Sequence, residues 1–108
     1  MNVPVAAGRL GLPATGVLVT GGASGIGRAT ALTLAEVGRP VMVWDRDAKG
    51  AAETVHLCRD RCGSTADWTE IDVTDTGRIG GAVEGAEASL GTLGGFVHAA
   101  GVGGAMTV

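Results

Sequence analysis

Residues 20–27 read Thr20-Gly21-Gly22-Ala23-Ser24-Gly25-Ile26-Gly27, a glycine-dense turn set between a β-branched apolar run and a segment of helical spacing. No other feature narrows the choice of fold as far. Glycine takes positive φ without strain and lets other atoms approach the backbone closely, so this turn marks a tight corner from strand into helix. Val17, Leu18 and Val19, ending at Thr20, are the expected first strand. Ile26, Thr30, Leu34 and Val37 fall on one helical stripe, which stops at Gly38 with Pro40 just beyond.

The same alternation continues down the chain. Residues 41–44 (Val-Met-Val-Trp) form a continuous apolar run that suits a strand buried on both faces, ended by Asp45. Ala51, Val55, Cys58 and Cys62 mark a second helix, closed by Gly63. A third strand is expected near residues 69–73, although Glu70 and Asp72 interrupt it. Ile79, Val83, Ala86 and Leu90 mark a third helix, and residues 95–99 a fourth strand. Gly77, Gly80, Gly81 and Gly85 each cost that helix about 1 kcal/mol relative to alanine, so packing must hold it. Strands alternating with helices predict an α/β fold, a parallel sheet in the order 3-2-1-4 with right-handed crossovers.

The 108 residues leave room for one core, and 45% hydrophobic against 18% charged residues fits a folded domain. A net charge of -3 offers no basic field for nucleic acid, and 3% aromatic residues leave little for base stacking. Residues 1–16 lack the charged and apolar regions of a signal peptide, and no apolar run approaches a membrane span, so a cytoplasmic protein is expected. Cys58 and Cys62 share a helical face, but zinc needs about four ligands and His56 points elsewhere. They are read as structural thiols and no metal site is expected.

A glycine turn opening a helix is suited to the diphosphate of a dinucleotide, because backbone N–H groups and the helix dipole meet the negative charge there. Gly21 makes the tight turn, Gly25 admits the phosphate, and Gly27 lets helix and strand approach. Ser24 and Ile26 complete the expected cofactor-binding segment. Asp45 lies 20 residues past Gly25, the spacing of an acid that accepts hydrogen bonds from the adenosine ribose. Its charge would repel a 2′-phosphate, favouring NAD over NADP, whereas Arg46 could pair with that phosphate. The plainer alternatives are a glycine-rich loop without a ligand and an Asp45 that only opens the next helix.

The spacing T-G-x-x-x-G-x-G resembles that of the short-chain dehydrogenase/reductase family, and two later segments agree. Residues 71–75 (Ile-Asp-Val-Thr-Asp) resemble the family's acidic motif, which implies that Asp72 contacts the adenine amino group and Val73 flanks the ring. Alternatively, Asp72 merely starts a turn. His98, Ala99, Ala100 and Gly101 resemble the family's N-N-A-G at the end of the fourth strand, beside the adenosine half of the cofactor. His98 and Ala99 replace two amides, so side-chain hydrogen bonds expected there are in question. His98 is read as structural in preference to a catalytic base. The likeness runs from about Gly16 to Val102.

The resemblance implies a Rossmann-type half domain over residues 1–108 that stops before the catalytic segment. The family's chemistry uses a serine, a tyrosine, a lysine one helical turn after the tyrosine, and a supporting asparagine, whereas this chain has no tyrosine. The expected function is the NAD-binding part of an oxidoreductase that moves hydride between NAD(H) and a secondary alcohol or ketone, inactive by itself. Two other readings stand beside it: a stand-alone NAD or adenine-nucleotide module without catalysis, and a subunit completed by a separate polypeptide. The substrate, and whether the complete protein forms a homo-oligomer, stay open.

Overall fold

The computed structural model describes residues 15–99, and within them strands and helices alternate throughout. The strands are β1 (Gly16–Thr20), β2 (Val41–Asp45), β3 (Ala66–Glu70) and β4 (Leu93–His98). The helices are α1 (Gly25–Glu36), α2 (Ala48–Cys62) and α3 (Thr76–Leu90). All strand pairs are parallel and the sheet order is β3-β2-β1-β4, as the alternation predicts. Chain progress runs outward from β1 to β3 and then jumps back to β4. Crossovers of one hand therefore place α1 and α2 on one face and α3 on the other.

Strand geometry sends alternate residues to opposite faces, and the two cores follow that rule. Val17, Val19, Val41 and Val43 meet Ala31, Ala35, Ala51, Val55 and Cys58 beneath α1 and α2. Leu18, Met42 and Trp44 meet Ile71 and Ala86 on the α3 side. β1 is buried at every position, the consequence of lying between two strands and two helical layers.

Two sequence expectations shift. The buried stripe of α1 is Gly27, Ala31 and Ala35, one position on from the one read from larger residues, and Ile26 is 79% exposed. Small residues win because a Cβ at position 27 would run into the Gly21 carbonyl, so the helix lies too close to the turn for bulk. β3 lies at residues 66–70, ahead of the expected 69–73. As an edge strand it is buried only at Ala66 and then alternates between half-buried and exposed, and the apolar Ile71 that drew the reading later is the buried residue just past its end. The stripe Ala51, Val55, Cys58 and Cys62 does face the sheet, with Cys62 only half-buried. Helix α2 ends as its sequence predicts, at Gly63 with φ 62.

Candidate functional site

In a sheet of this order the crevice forms beyond the carboxyl ends of the strands, where β1 and β4 lead away in opposite directions. The glycine turn follows β1 there, Asp45 ends β2, the segment 71–73 follows β3, and His98 ends β4. The topology thus gathers at one edge every predicted site residue that lies among the described residues. Ala100 and Gly101 lie outside them.

The turn is shaped by its glycines. Gly21 has φ 74 and Gly25 φ 58, values that strain any residue with a Cβ. Gly25 faces open space, with nothing within 4 Å of a would-be Cβ, so its backbone is open to approach. Gly22, which sequence reasoning did not single out, lies against β2: a Cβ there would come 2.7 Å from Val43 Cγ1. Ser24 is the N-cap of α1, yet its side chain makes no capping hydrogen bond. The start of the helix is therefore not closed by its own cap, and its amides and dipole face outward. Ile26 is exposed beside them.

Asp45 sits against this turn. Its Oδ2 accepts from the Ala23 amide at 3.0 Å and its Oδ1 from the Asp47 amide at 2.9 Å. Each carboxylate oxygen has a second lone pair, so the residue is anchored and still able to accept from a ligand's hydroxyl groups. Asp47 in turn caps α2, accepting from the Gly50 amide at 3.0 Å. Gly50 is a second missed glycine, since a Cβ would lie 2.8 Å from that of Ala23. The same Cβ would lie 2.6 Å from Asp47 Oδ2, so Gly50 is pressed between the cap of its own helix and the loop.

At the far side of the crevice, Asp72 Oδ1 accepts from the Thr74 amide at 2.9 Å and the Thr74 hydroxyl at 2.7 Å. Those two bonds hold its carboxyl below the usual carboxylate range, and Arg46 lowers it further. Asp72 Oδ2 lies 3.7 Å from Arg46 Nη1, with Arg46 largely exposed. The turn-forming alternative is thus met at Oδ1, while Oδ2 faces Arg46. Val73 is half-buried against the α3-side core. His98 Nδ1 and Thr20 Oγ1 are 2.8 Å apart, and the Ala99 amide donates to the Thr20 carbonyl at 3.0 Å. A hydrogen bond from a strand-end side chain therefore persists where the first amide of the motif is replaced, joining β1 to β4 across the switch point.

Cys58 is fully buried away from this edge, and burial pushes its thiol from 9.0 to about 11, with Cys62 adding to the shift. Among the described residues no group of three or more His, Cys, Asp or Glu side chains could hold a metal ion, and no helix is long and apolar enough to cross a membrane.

Known proteins share this fold. The sequence profile described as short chain dehydrogenase matches residues 15–108. Cis-4-hydroxycyclohexanecarboxylate dehydrogenase of Sinomonas cyclohexanicum is 42% identical over 85 residues, 79% of this chain and 33% of that protein. Carveol dehydrogenase from Mycobacterium avium, solved in complex with NAD, superposes with a TM-score of 0.77 at 28% identity, covering 82% of this chain and 36% of that one. L-sorbose reductase from Gluconobacter frateurii, solved with NADPH and L-sorbose, gives 0.76 at 25% identity, covering 82% and 34%. The chain spans about a third of the length of the relatives it matches.

Proposed function

The chain belongs to the short-chain dehydrogenase family, and from that premise we propose that it is the dinucleotide-binding part of an oxidoreductase acting on a secondary alcohol or ketone. NAD is its cofactor in preference to NADP. The observation that carries this reading is the pairing of an open, uncapped helix start after Gly25 with a carboxylate, Asp45, anchored to the same turn.

These residues fit a dinucleotide on their own chemistry. A backbone cradle that any Cβ would strain suits a diphosphate, and an anchored carboxylate with lone pairs to spare suits ribose hydroxyls. Gly21, Ser24, Gly25, Ile26 and Gly27 would hold the diphosphate, and Asp45 the ribose. Asp72, Val73, Arg46, His98, Ala99, Ala100 and Gly101 would border the adenosine half. Asp45 disfavours a 2′-phosphate by charge. Arg46, which would favour one, faces the Asp72 carboxylate instead. When bound, the cofactor supplies hydride transfer through its nicotinamide. The chain's own part is to bind and orient. It contains no tyrosine, so the family's proton-transfer residue is not among its 108 residues, and we expect no turnover from them alone.

Calorimetric titration of the chain tests this. Micromolar binding of NAD, weaker binding of NADP, and no NADH formed with any secondary alcohol is the expected result. Failure to bind either dinucleotide or ADP would overturn the assignment of the site. Turnover by the chain alone would overturn its assignment as a binding part. A tyrosine followed one helical turn later by lysine in the coding sequence downstream of Val108 would support the larger enzyme over a stand-alone module.

A further inference from the structure

Two residues outside the glycine turn grip it from behind. Thr54, on α2 and fully buried, donates its hydroxyl to the Gly22 carbonyl at 2.6 Å. Arg28, in the first turn of α1, folds back so that Nη2 donates to the Ala23 carbonyl at 2.6 Å and to the Gly50 carbonyl at 3.1 Å. Arg28 Nε donates to Thr54 Oγ1 at 2.9 Å, which joins the two grips into one brace. A cation in a helix's first turn opposes the dipole, and three hydrogen bonds at one guanidinium offset that cost.

A trans peptide holds its C=O and N–H antiparallel, so fixing one end aims the other. The Gly22–Ala23 peptide is held at both ends, its carbonyl by Thr54 and its amide by Asp45. The Ala23–Ser24 peptide is held at its carbonyl by Arg28, which turns the Ser24 amide away from the brace. Thr54 and Arg28 therefore set the two peptide planes that lead into the open helix start.

We propose that Thr54 and Arg28 are positioning residues for the diphosphate, acting through the peptide planes of residues 22–24 without touching the ligand. The inference rests on the dinucleotide reading of the same turn. Its chemistry is specific: the hydroxyl of residue 54 and the forked guanidinium of residue 28 matter, and neither shape nor charge alone replaces them.

The test compares ADP with adenosine on the wild-type chain and on Thr54→Val, Thr54→Ser and Arg28→Lys. Thr54→Val keeps the shape and removes the hydroxyl. ADP affinity should fall roughly tenfold, the scale of one or two hydrogen bonds, while adenosine affinity stays within about twofold. Thr54→Ser should restore ADP binding. Arg28→Lys, left with one bond where three stood, should mimic Thr54→Val. An equal loss for both ligands, or no loss, would overturn the positioning role. A wild-type chain that binds ADP no better than adenosine would instead refute the dinucleotide site. Amide hydrogen exchange covers any variant that binds poorly. Faster exchange confined to residues 21–27, with Val43 unchanged, supports the brace, and uniform acceleration across the sheet sinks it.

Discussion

Gly27 at the start of α1 and Gly80 in the middle of α3 are the same residue in the same kind of element, but a side chain would meet opposite surroundings. At Gly27 a Cβ would run into the Gly21 carbonyl, while at Gly80, Gly81 and Gly85 it would find nothing within 4 Å. The contrast extends to the helices that carry them. α1 presents Gly27, Ala31 and Ala35 to the sheet and fits close against the turn, whereas α3 has only Ala86 fully buried. Below α1 and α2 the core is a continuous layer of valine, alanine and Cys58. On the α3 side, Phe96 is 61% exposed and the buried Trp44 Nε1 has no hydrogen-bond partner among the described residues. Glycine is thus a requirement of close approach in one region and a cost in the other. The corner at the glycine turn is a part of the molecule whose geometry is tightly determined.

The sharpest way to break this comparison is to add one methyl group in each region. Gly27→Ala should destabilise the chain by about 3 kcal/mol, the upper range of overpacking, because carbonyl and helix must move apart. Urea denaturation measures it, and a loss below about 1 kcal/mol would mean that the turn yields easily. Nucleotide binding should fall as well, since the displaced carbonyl belongs to the turn that shapes the cradle.

A second test uses pH to probe the dry face. Cys58 has its folded-state pKa raised from 9.0 to about 11, so the unfolded chain releases its thiol proton first as pH rises. Above pH 9 the unfolded state binds fewer protons than the folded one, and stability falls with pH until about 11 is reached. Two pKa units correspond to about 2 to 3 kcal/mol. Urea midpoints between these limits should fall in the wild type, with a shallower slope in Cys58→Ala. Parallel slopes would show that water reaches this face.

The sheet order and the glycine turn were legible because both rest on local patterns: apolar runs, helical spacing, and glycines between them. The place of Asp45 at the end of β2 was legible, but not its bond to the Ala23 amide, which depends on how β2 lies beside the turn. Thr54 and Gly50 were invisible for a related reason. The partners that tie them to the turn and to α1 are 32 and 22 residues away in sequence, at Gly22 and Arg28. The stripe of α1 was misread because bulk was taken as the sign of burial, whereas close packing against a turn selects small residues. β3 was placed late because an edge strand alternates and its most apolar neighbour, Ile71, lies beyond it.

The α3 glycines give the mirror image of Gly27. Gly80→Ala and Gly81→Ala sit in an exposed helix interior with open space around them. Each should stabilise the chain by about 1 kcal/mol, by raising helix propensity and reducing the freedom of the unfolded state. A thermal or urea midpoint that falls would mean that α3 is covered in solution by something that needs those positions bare.

Phe96 carries the smallest expected effect. It pairs in register with Leu18 and so points to the α3 side, yet 61% of it remains in water and its ring meets His98 only at a tilted 6.1 Å. Most of its transfer energy is therefore still unrealised. Phe96→Thr keeps a good strand former and should cost about 0.5 kcal/mol or less. A cost above about 1 kcal/mol, growing with protein concentration, would show that the ring is buried between copies of the chain and not left open. In that event the contrast between the two faces would belong to the isolated chain alone, because association would have supplied the layer that α3 does not.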